Sequence, residues 1–266
     1  MTRTIVVTGS ASGIGAATAA AIARRGDRVL GVDLHDADVI GDLATKVGRT
    51  EAVNTIAGLS GRRLDGIVAC AGLASLQADQ ATIIRVNYFG AVNVVEALRP
   101  LLATSPTSSV AVVSSAAMLF AVDDQVVEAC LAGDEDRAAA LAQQGDRAYA
   151  SSKRALARWA RRTAPSKAWA SAGICVNAVA PGIVDTPMTA LELDDEALRH
   201  DLLSAIPQPM RAVGQPEDVA EVLTWLTGPD NRFVTGQVIF VDGGFEAATL
   251  GDDVGRGDDV GRLRRT

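Results

Sequence analysis

The chain has few of the residues on which many enzymes and metal proteins depend. Among its 266 residues are only two histidines, His35 and His200, and three cysteines, Cys70, Cys130 and Cys175. The cysteines form no CxxC pair, and neither histidine has neighbours suited to a metal site or a Ser-His-Asp triad. We therefore predict no metal site, expect buried structural thiols, and assign any acid–base chemistry to another residue type.

Long apolar runs and an excess of positive charge are also missing. No stretch approaches the ~18 consecutive apolar residues of a membrane span, so the sequence predicts no transmembrane helix. The N-terminal segment meets glycine too early to form a secretory signal, which predicts a cytoplasmic protein. With 25 Lys and Arg against 32 Asp and Glu, the net charge is −7. Neither a membrane nor a nucleic acid is expected as a partner.

Apolar residues make up 48% of the chain, in short runs that alternate with helical patterns. The predicted strands span residues 4–8, 28–32, 66–70, 110–113, 174–179 and 237–241. Predicted helices follow the first strand up to about residue 25 and lie near residues 43–58, 77–103, 149–171 and 216–227. This alternation predicts an α/β fold with one domain over residues 1–250, in which helices flank a doubly wound parallel sheet.

The end of the chain differs from this body. The hexapeptide GDDVGR occurs twice in tandem, at Gly251–Arg256 and Gly257–Arg262, and LRRT follows. A segment with almost no apolar residues cannot offset its ordering entropy, so we expect residues 251–266 to form a flexible tail. The alternative is that the tail docks on a neighbouring subunit.

A glycine-rich loop, TGSASGIG, follows the first predicted strand and opens the first predicted helix. Its glycines, Gly9, Gly13 and Gly15, are spaced GxxxGxG rather than GxGxxG. Glycine lets a pyrophosphate approach the backbone, and the helix N-terminus offers N–H groups and a positive dipole. The loop therefore favours a dinucleotide site, with a plain strand–helix turn as the alternative.

Asp33 ends the second predicted strand, 18 residues after Gly15. A carboxylate in this position can accept hydrogen bonds from both adenosine ribose hydroxyls, and it repels a 2′-phosphate. Leu34 and His35 come next and provide no arginine to bind such a phosphate. NAD is therefore favoured over NADP, and an ordinary strand-end cap is the alternative.

Tyr149 and Lys153 stand four residues apart in AYASSKRAL, which places both on one face of a predicted helix. A free tyrosine titrates near pH ~10 and is a poor base at neutral pH. A neighbouring ammonium favours the phenolate, so we expect Lys153 to lower the pKa of Tyr149. A Tyr–Lys pair on the helix surface is the alternative. Ser114 and Ser115 end another predicted strand, where ligands of α/β proteins bind.

Together these segments resemble the short-chain dehydrogenase/reductase family, from about residue 3 to residue 245. The matching segments are TGSASGIG, Asp33, Asp42-Leu43, the CAG of residues 70–72, Asn87, Ser115, YASSK, PGIVDTP and VTGQVIFVDGG. The resemblance implies a Rossmann-type fold and hydride transfer between NAD(H) and an alcohol or ketone. One departure is that the family's usual NNAG reads ACAG here, which removes an asparagine that supports the sheet.

The resemblance also implies the catalytic roles. Tyr149 would be the general acid/base, and Ser115, rather than Ser114, would bond the substrate oxygen. Lys153 would hold the nicotinamide ribose and tune Tyr149, and Asn87 would order a proton-relay water. Without the resemblance, Asn87 would be only a tolerated polar residue of a long helix.

The implied cofactor site extends over several strand ends. Thr186 and the Val184 backbone would meet the nicotinamide carboxamide, and Asp42 and Leu43 would border the adenine. The predicted cofactor-binding residues are Gly9, Ser12, Gly13, Ile14, Gly15, Asp33, Leu34, Asp42, Leu43, Cys70, Ala71, Gly72, Tyr149, Lys153, Pro181, Gly182, Val184 and Thr186.

A second departure is the separation of 34 residues between Ser115 and Tyr149, far more than in most family members. The extra segment, about residues 117–146, carries a helical stripe at Val126, Val127, Cys130 and Leu131 and alanines near 138–142. The predicted helical hairpin resembles that of bacterial 3α-hydroxysteroid dehydrogenase/carbonyl reductases. The family pairs subunits through the Tyr-bearing helix, so we hypothesise that the hairpin remodels this surface in a homo-oligomer, a dimer or tetramer. A peripheral surface attachment is the alternative.

Residues 188–213 are predicted to form a substrate lid. Its apolar lining would be Met188, Leu191, Leu193, Leu198, Leu202, Leu203, Ile206 and Met210, and Asp194, Asp195 and Glu196 would face water. Apolar closure excludes water during hydride transfer and favours a hydrophobic alcohol or ketone, such as a steroid or an aromatic alcohol. The alternatives to an NAD-dependent enzyme are a non-catalytic NAD-binding sensor and a scaffold of the same fold.

Overall fold

A seven-stranded parallel sheet lies at the centre of the computed structural model, which describes residues 2–252. The strands are β1 (Thr4–Thr8), β2 (Arg28–Asp33), β3 (Val39–Ile40), β4 (Gly66–Ala69), β5 (Ser108–Val113), β6 (Ile174–Pro181) and β7 (Val238–Val241). Their order in the sheet is β3-β2-β1-β4-β5-β6-β7. The order reverses between β1 and β4, and the ligand crevice of an open α/β sheet lies beyond the carboxyl ends of the strands at this point.

Helices cover both faces of the sheet. Within the described residues they are α1 (Gly13–Arg24), α2 (Lys46–Leu59), α3 (Gln80–Ile84), α4 (Ala91–Leu102), α5 (Asp124–Leu131), α6 (Glu135–Ala142), α7 (Ala148–Thr163), α8 (Lys167–Ala170), α9 (Ala190–Asp194), α10 (Glu196–Ala205), α11 (Pro216–Leu226) and α12 (Phe245–Leu250). A π-helical turn, Arg85–Gly90, joins α3 to α4, and Ala116–Leu119 is a 3-10 helix. No helix of residues 2–252 is long and apolar enough to cross a membrane.

The strands are apolar along their whole length because both of their faces are buried. Successive side chains of a strand point to opposite faces, and β1 follows this rule. Val6 packs in the core on one face, whereas Ile5 and Val7 pack in the core on the other. These continuous apolar runs are typical of parallel sheets covered by helices on both sides.

The predicted α/β architecture is confirmed, with two differences in detail. All six predicted strands are present, but β3, an edge strand of two residues, is too short to produce a sequence pattern. The long helix predicted near residues 77–103 is divided by the π-helical turn, which contains Asn87. Most of the predicted tail, residues 253–266, lies outside the described residues.

The inserted hairpin consists of α5 and α6, immediately before the Tyr-bearing helix α7. Val126, Val127, Cys130, Ala138 and Ala142 are buried in the same core as the sheet residues of that face. The hairpin is therefore part of the main core and not a peripheral attachment.

The predicted lid contains α9 and α10. Leu193, Leu202, Leu203 and Ile206 pack with Ala116, Ile183 and Phe245 in a small core of their own. The expected apolar lining is wrong for Leu191, Leu198 and Met210, whose exposed fractions are 62%, 43% and 85%. The two short helices present only one face to the body of the protein, and Leu191 and Leu198 lie off that face. Met210 lies beyond the end of α10, in the loop that follows it. Residues 194–196 are exposed, as predicted.

Candidate active site

A cavity of about 440 Å³ opens at the carboxyl edge of the sheet, where the strand order reverses. Every residue that the sequence predicted for the cofactor lines this cavity, and so does Ser115. Asn87 does not line it; it is fully buried behind the wall. The fold thus brings the predicted residues of seven separate chain segments to one concave surface.

Two glycines of the glycine-rich loop, Gly9 and Gly15, lie too close to neighbouring backbone atoms to be replaced by a residue with a side chain. A Cβ on Gly15 would lie 1.8 Å from the carbonyl oxygen of Gly9, and one on Gly9, where φ is +70°, would lie 2.9 Å from the Ala71 backbone. The N-cap residue of α1, Ser12, makes no side-chain capping bond, and the first turn has no acidic residue. The first-turn N–H groups therefore face the cavity without a side-chain partner and fit an anionic pyrophosphate.

Asp33 is held at the end of β2 by two backbone amides. Its Oδ2 accepts a hydrogen bond of 2.9 Å from Ala11 N, and its Oδ1 accepts one of 2.7 Å from Leu34 N. Each carboxylate oxygen keeps a further lone pair that can accept a bond from a hydroxyl in the cavity. This arrangement fits the ribose diol of an adenosine, so the residues present agree with a bound dinucleotide.

Thr8 supplies a contact that sequence reasoning missed. Its buried Oγ1 accepts hydrogen bonds of 3.1 Å from both Cys70 N and Ala71 N. This hydroxyl joins the ends of β1 and β4 at the position where the sequence lacks the asparagine typical of the family. Cys70 is half-buried in the cavity wall, whereas Cys130 and Cys175 are buried as expected. Burial raises the pKa of the Cys70 thiol to about 12, so this thiol is neutral.

Tyr149 and Lys153 lie on the same face of α7, at the other end of the cavity. The Lys153 Nζ is 5.7 Å from the centre of the Tyr149 ring and donates a 2.9 Å hydrogen bond to the Val113 carbonyl oxygen. Burial lowers the pKa of Lys153 to about 8. An anionic group bound beside the ammonium would stabilise its charged form and raise this pKa again.

The pKa of Tyr149 moves opposite to the sequence-based expectation. Burial of the phenol raises this pKa, a side-chain hydrogen bond with Ser115 lowers it, and the negative charge of Glu192 raises it. Lys153 is not among the groups that shift this pKa. The expectation that Lys153 lowers the pKa of Tyr149 is therefore wrong for this protein without a ligand.

The two serines after β5 have different partners. Ser114 Oγ donates a 2.8 Å hydrogen bond to the Lys153 carbonyl oxygen, which ties β5 to α7. Ser115 Oγ accepts a 3.1 Å bond from Ala117 N and caps the 3-10 helix. Both residues line the cavity, but only the Ser115 hydroxyl lies against the Tyr149 phenol.

Asn87 supports the cavity from behind. Its Oδ1 accepts a 2.7 Å bond from Leu73 N, and its Nδ2 donates to Leu73 O at 3.0 Å and to Ser152 Oγ at 3.3 Å. Gly72 fits between Asn87 and Lys153, since a Cβ there would lie 3.3 Å from both side chains. The π-helical turn, a feature frequent at functional sites, thus fixes the loop after β4 against α7.

Leu73, Val86 and Thr82 of the cavity wall were not predicted, whereas Met188 was predicted as part of the lid lining. Leu73 and Val86 each stand next to a predicted residue, Gly72 and Asn87, so their sequence positions could have identified them. Thr82, in α3, gave no sequence signal. Met188 reaches the cavity from the lid, with its Cε 3.8 Å from the Cβ position of Gly72.

Comparison with known proteins agrees with this geometry. A family model described as short chain dehydrogenase matches residues 3–127, and one described as Enoyl-(Acyl carrier protein) reductase matches residues 136–246. The chain is 35% identical over 250 residues to the 3-alpha-hydroxysteroid dehydrogenase/carbonyl reductase of Comamonas testosteroni, a match covering 91% of this chain and 96% of that protein. The chain belongs to the short-chain dehydrogenase/reductase family.

Other relatives support the same assignment. This short-chain dehydrogenase/reductase is 33% identical over 270 residues to cis-4-hydroxycyclohexanecarboxylate dehydrogenase of Sinomonas cyclohexanicum, with 92% of this chain and 97% of that protein covered. The structure of 3-alpha-hydroxysteroid dehydrogenase from Pseudomonas sp. B-0831, complexed with NADH, matches with a TM-score of 0.88 and 38% identity. That match covers 94% of this chain and 99% of the other. The chain is thus an oxidoreductase with a nicotinamide cofactor, and the predicted resemblance is confirmed.

Proposed function

We propose that this short-chain dehydrogenase/reductase transfers a hydride between NAD(H) and a hydrophobic secondary alcohol or ketone, such as a 3-hydroxysteroid or an aromatic alcohol. Tyr149 is its general acid/base. One observation carries the proposal: a single cavity has Asp33 and the glycine-rich loop at one end and Ser115, Tyr149 and Lys153 at the other. A non-catalytic sensor would need only the first end.

A bound nicotinamide would accept the hydride in alcohol oxidation and, in its reduced form, donate it in ketone reduction, while the protein's own residues move the proton. In alcohol oxidation Tyr149 takes the hydroxyl proton on its phenolate oxygen, and in ketone reduction it returns this proton to the carbonyl oxygen. Ser115 donates a hydrogen bond to the same substrate oxygen. Because burial raises its pKa, Tyr149 rests as the neutral phenol, which is the form required for ketone reduction.

Lys153 and Asn87 act behind Tyr149. We propose that Lys153 holds the nicotinamide ribose and that its ammonium favours the phenolate form of Tyr149 when the cofactor is bound. Both N–H groups of the Asn87 side chain are used, by Leu73 O and Ser152 Oγ. A relay water ordered by Asn87 would therefore bind to one of its carbonyl oxygens.

Apolar residues support a hydrophobic substrate. Leu73, Val86 and Met188 give the cavity an apolar wall. Binding an apolar substrate against this wall would bury apolar surface and exclude water from the hydride transfer.

A substrate screen tests the proposal directly. Purified protein would be given NAD or NADP with 3-hydroxysteroids, aromatic and allylic alcohols, or simple secondary alcohols, and the absorbance of the reduced nicotinamide would be followed. We expect NAD-dependent turnover of apolar alcohols. Tight NAD binding without turnover of any of these alcohols would instead favour the alternative, a non-catalytic NAD-binding sensor or scaffold.

Asp33 is proposed to select NAD over NADP. Replacing Asp33 with asparagine removes the charge that repels a 2′-phosphate, so we expect the ratio of kcat/KM for NAD to that for NADP to fall by about tenfold. Initial rates with each cofactor measure this ratio. Asp36→Asn is the matched control, since it makes the same charge change at an exposed position of the same loop and should leave the ratio unchanged. Better use of NADP than NAD by the unmodified protein would contradict the assignment.

Glu192 is expected to set the pH dependence of the reaction. Its carboxylate lies on the lid helix α9, with Oε2 shielded from solvent and without a hydrogen-bond partner, and its charge raises the pKa of Tyr149. Glu192→Gln removes that charge and lowers this pKa. Alcohol oxidation requires the phenolate, so the rise of kcat/KM with pH should move to lower pH.

A pH–rate profile measures this shift, and Glu196→Gln controls for a general change of lid charge, because Glu196 is exposed and does not affect the Tyr149 pKa. Identical profiles for Glu192→Gln and the unmodified protein would show that Glu192 does not act on the ionising group.

We also propose that the protein is a homo-oligomer, a dimer or tetramer. The packing of α5 against α7 supports the hypothesis that the hairpin remodels the surface through which family members pair.

A further inference from the structure

A buried ion pair joins the inserted hairpin to α2, the helix that follows the cavity-lining residues 42–44. Arg49 Nη2, on α2, lies 2.6 Å from Glu135 Oε2, at the start of α6. The two side chains are only 4% and 9% exposed. A charge this shielded is strongly destabilising without its partner, so each of the two residues depends on the other to remain buried.

The same guanidinium also holds the cavity wall. Arg49 Nη1 donates hydrogen bonds to the carbonyl oxygens of Leu43, at 3.0 Å, and Ala44, at 3.3 Å. Asp42, Leu43 and Ala44 all line the cavity, whereas Arg49 and Glu135 do not. We call residues 42–44 the adenosine segment, because Asp42 and Leu43 are predicted to border the adenine of the cofactor and Ala44 continues the same stretch of cavity wall.

The adenosine segment is also held by a 2.9 Å bond from Ala44 N to Asp42 Oδ1, by a 3.2 Å bond from Thr45 Oγ1 to the Asp42 carbonyl oxygen, and by burial of the Leu43 side chain in the core. It packs closely on two glycines: a Cβ on Gly48 would lie 2.2 Å from the Asp42 carbonyl oxygen, and one on Gly90 would lie 3.2 Å from Leu43 Cβ. These approaches limit how far the segment can move inward. The hydrogen bonds from the Arg49 guanidinium act differently, because they fix the direction in which the carbonyl groups of Leu43 and Ala44 point.

We infer that Glu135 is a positioning residue for the cofactor site, because it orients Arg49 and Arg49 in turn orients the adenosine segment. The planar guanidinium can bond a carboxylate on one side and backbone carbonyls on the other at the same time. Without the carboxylate, Arg49 would turn toward solvent to regain hydration and would release Leu43 and Ala44. The inserted hairpin thereby contributes to cofactor affinity without touching the cofactor. The inference rests on the proposed function.

Replacing Glu135 with glutamine tests the inference. We expect the KM for NAD to rise about tenfold, with kcat at saturating NAD changed less than about twofold, because the nicotinamide end is untouched. ADP-ribose, a competitor that lacks the nicotinamide, should lose inhibitory affinity by the same factor. A purely structural role would lower thermal stability and leave both affinities unchanged.

Asp136→Asn is the matched control. Asp136 lies next to Glu135 and pairs with Lys46 across the same two helices at 3.7 Å, but both side chains of that pair are well exposed, at 83% and 68%. An exposed ion pair contributes little to stability, and this one makes no contact with a carbonyl group of the adenosine segment. NAD and ADP-ribose affinities of this variant should equal those of the unmodified protein.

A double variant, Arg49→Met with Glu135→Leu, covers the case in which Glu135→Gln does not fold. This variant removes both charges of the buried ion pair. It is expected to fold, because apolar replacements of buried ion pairs are often tolerated. It lacks the guanidinium, so it should show the same loss of NAD and ADP-ribose affinity. Unmodified affinity in the folded double variant would overturn the inference. Failure of the unmodified protein to bind NAD would instead overturn the proposed function.

Discussion

Replacement of Tyr149 by phenylalanine is expected to lower kcat by about 10²–10⁴-fold while NAD binding stays within about twofold. The variant loses only the hydroxyl oxygen that exchanges a proton with the substrate. The ring remains beside Lys153 Nζ, 5.7 Å from its centre, so the shape of the cavity is preserved. Steady-state rates measure the loss of turnover, and calorimetric titration with NAD measures the binding.

Tyr88 provides the matched control for this variant. It is the other tyrosine of the chain, 2% exposed, and its ring packs edge-to-face on Phe89 with the centres 5.1 Å apart. Tyr88→Phe makes the same chemical change outside the cavity and should keep full activity. If Tyr149→Phe retained more than about a tenth of kcat, another group would have to serve as the acid/base.

Replacement of Gly15 by alanine is expected to weaken NAD binding by at least about 100-fold, which is the cost of misplacing binding groups by about 1 Å. The new Cβ would lie 1.8 Å from the Gly9 carbonyl oxygen, so α1 must move away from the glycine-rich loop. That movement displaces the N–H groups that are proposed to bind the pyrophosphate. Calorimetric titration with NAD measures the effect, and circular dichroism establishes that the variant is folded.

Gly58→Ala controls for the substitution itself. Gly58 is in α2, and a Cβ there would meet no atom within 4 Å. The control should bind NAD normally and gain about 0.4–1 kcal/mol of unfolding free energy, because alanine favours the helix. Normal NAD binding by a folded Gly15→Ala variant would mean that the glycine-rich loop does not hold the pyrophosphate.

Local patterns in the sequence were sufficient for the fold and for most of the cavity. Strand and helix patterns depend on residues that are only a few positions apart in the chain. Their alternation therefore predicted the six longer strands and the doubly wound sheet. The i, i+4 spacing likewise placed Tyr149 and Lys153 on one face, and the positions of Gly9, Gly13 and Gly15 placed the loop at the first strand end.

The ion pair between Arg49 and Glu135 had only a weak signal in the sequence. Arg49 shares a helical face with Ala52 and Ile56, both of which are buried, and a charge on such a face indicates a buried partner. Nothing near Arg49 identifies that partner, since Glu135 is 86 residues away in the chain.

The sheet, the glycine-rich loop and the residue types at the Tyr149 end of the cavity could be predicted from local sequence patterns. Three features required the folded protein: the direction of the Tyr149 pKa shift, the pairing of Arg49 with Glu135, and the exposure of Leu191 and Met210. Secondary structure and its spacing depend on residues that are close along the chain, whereas desolvation and ion pairing depend on which distant segments surround a group.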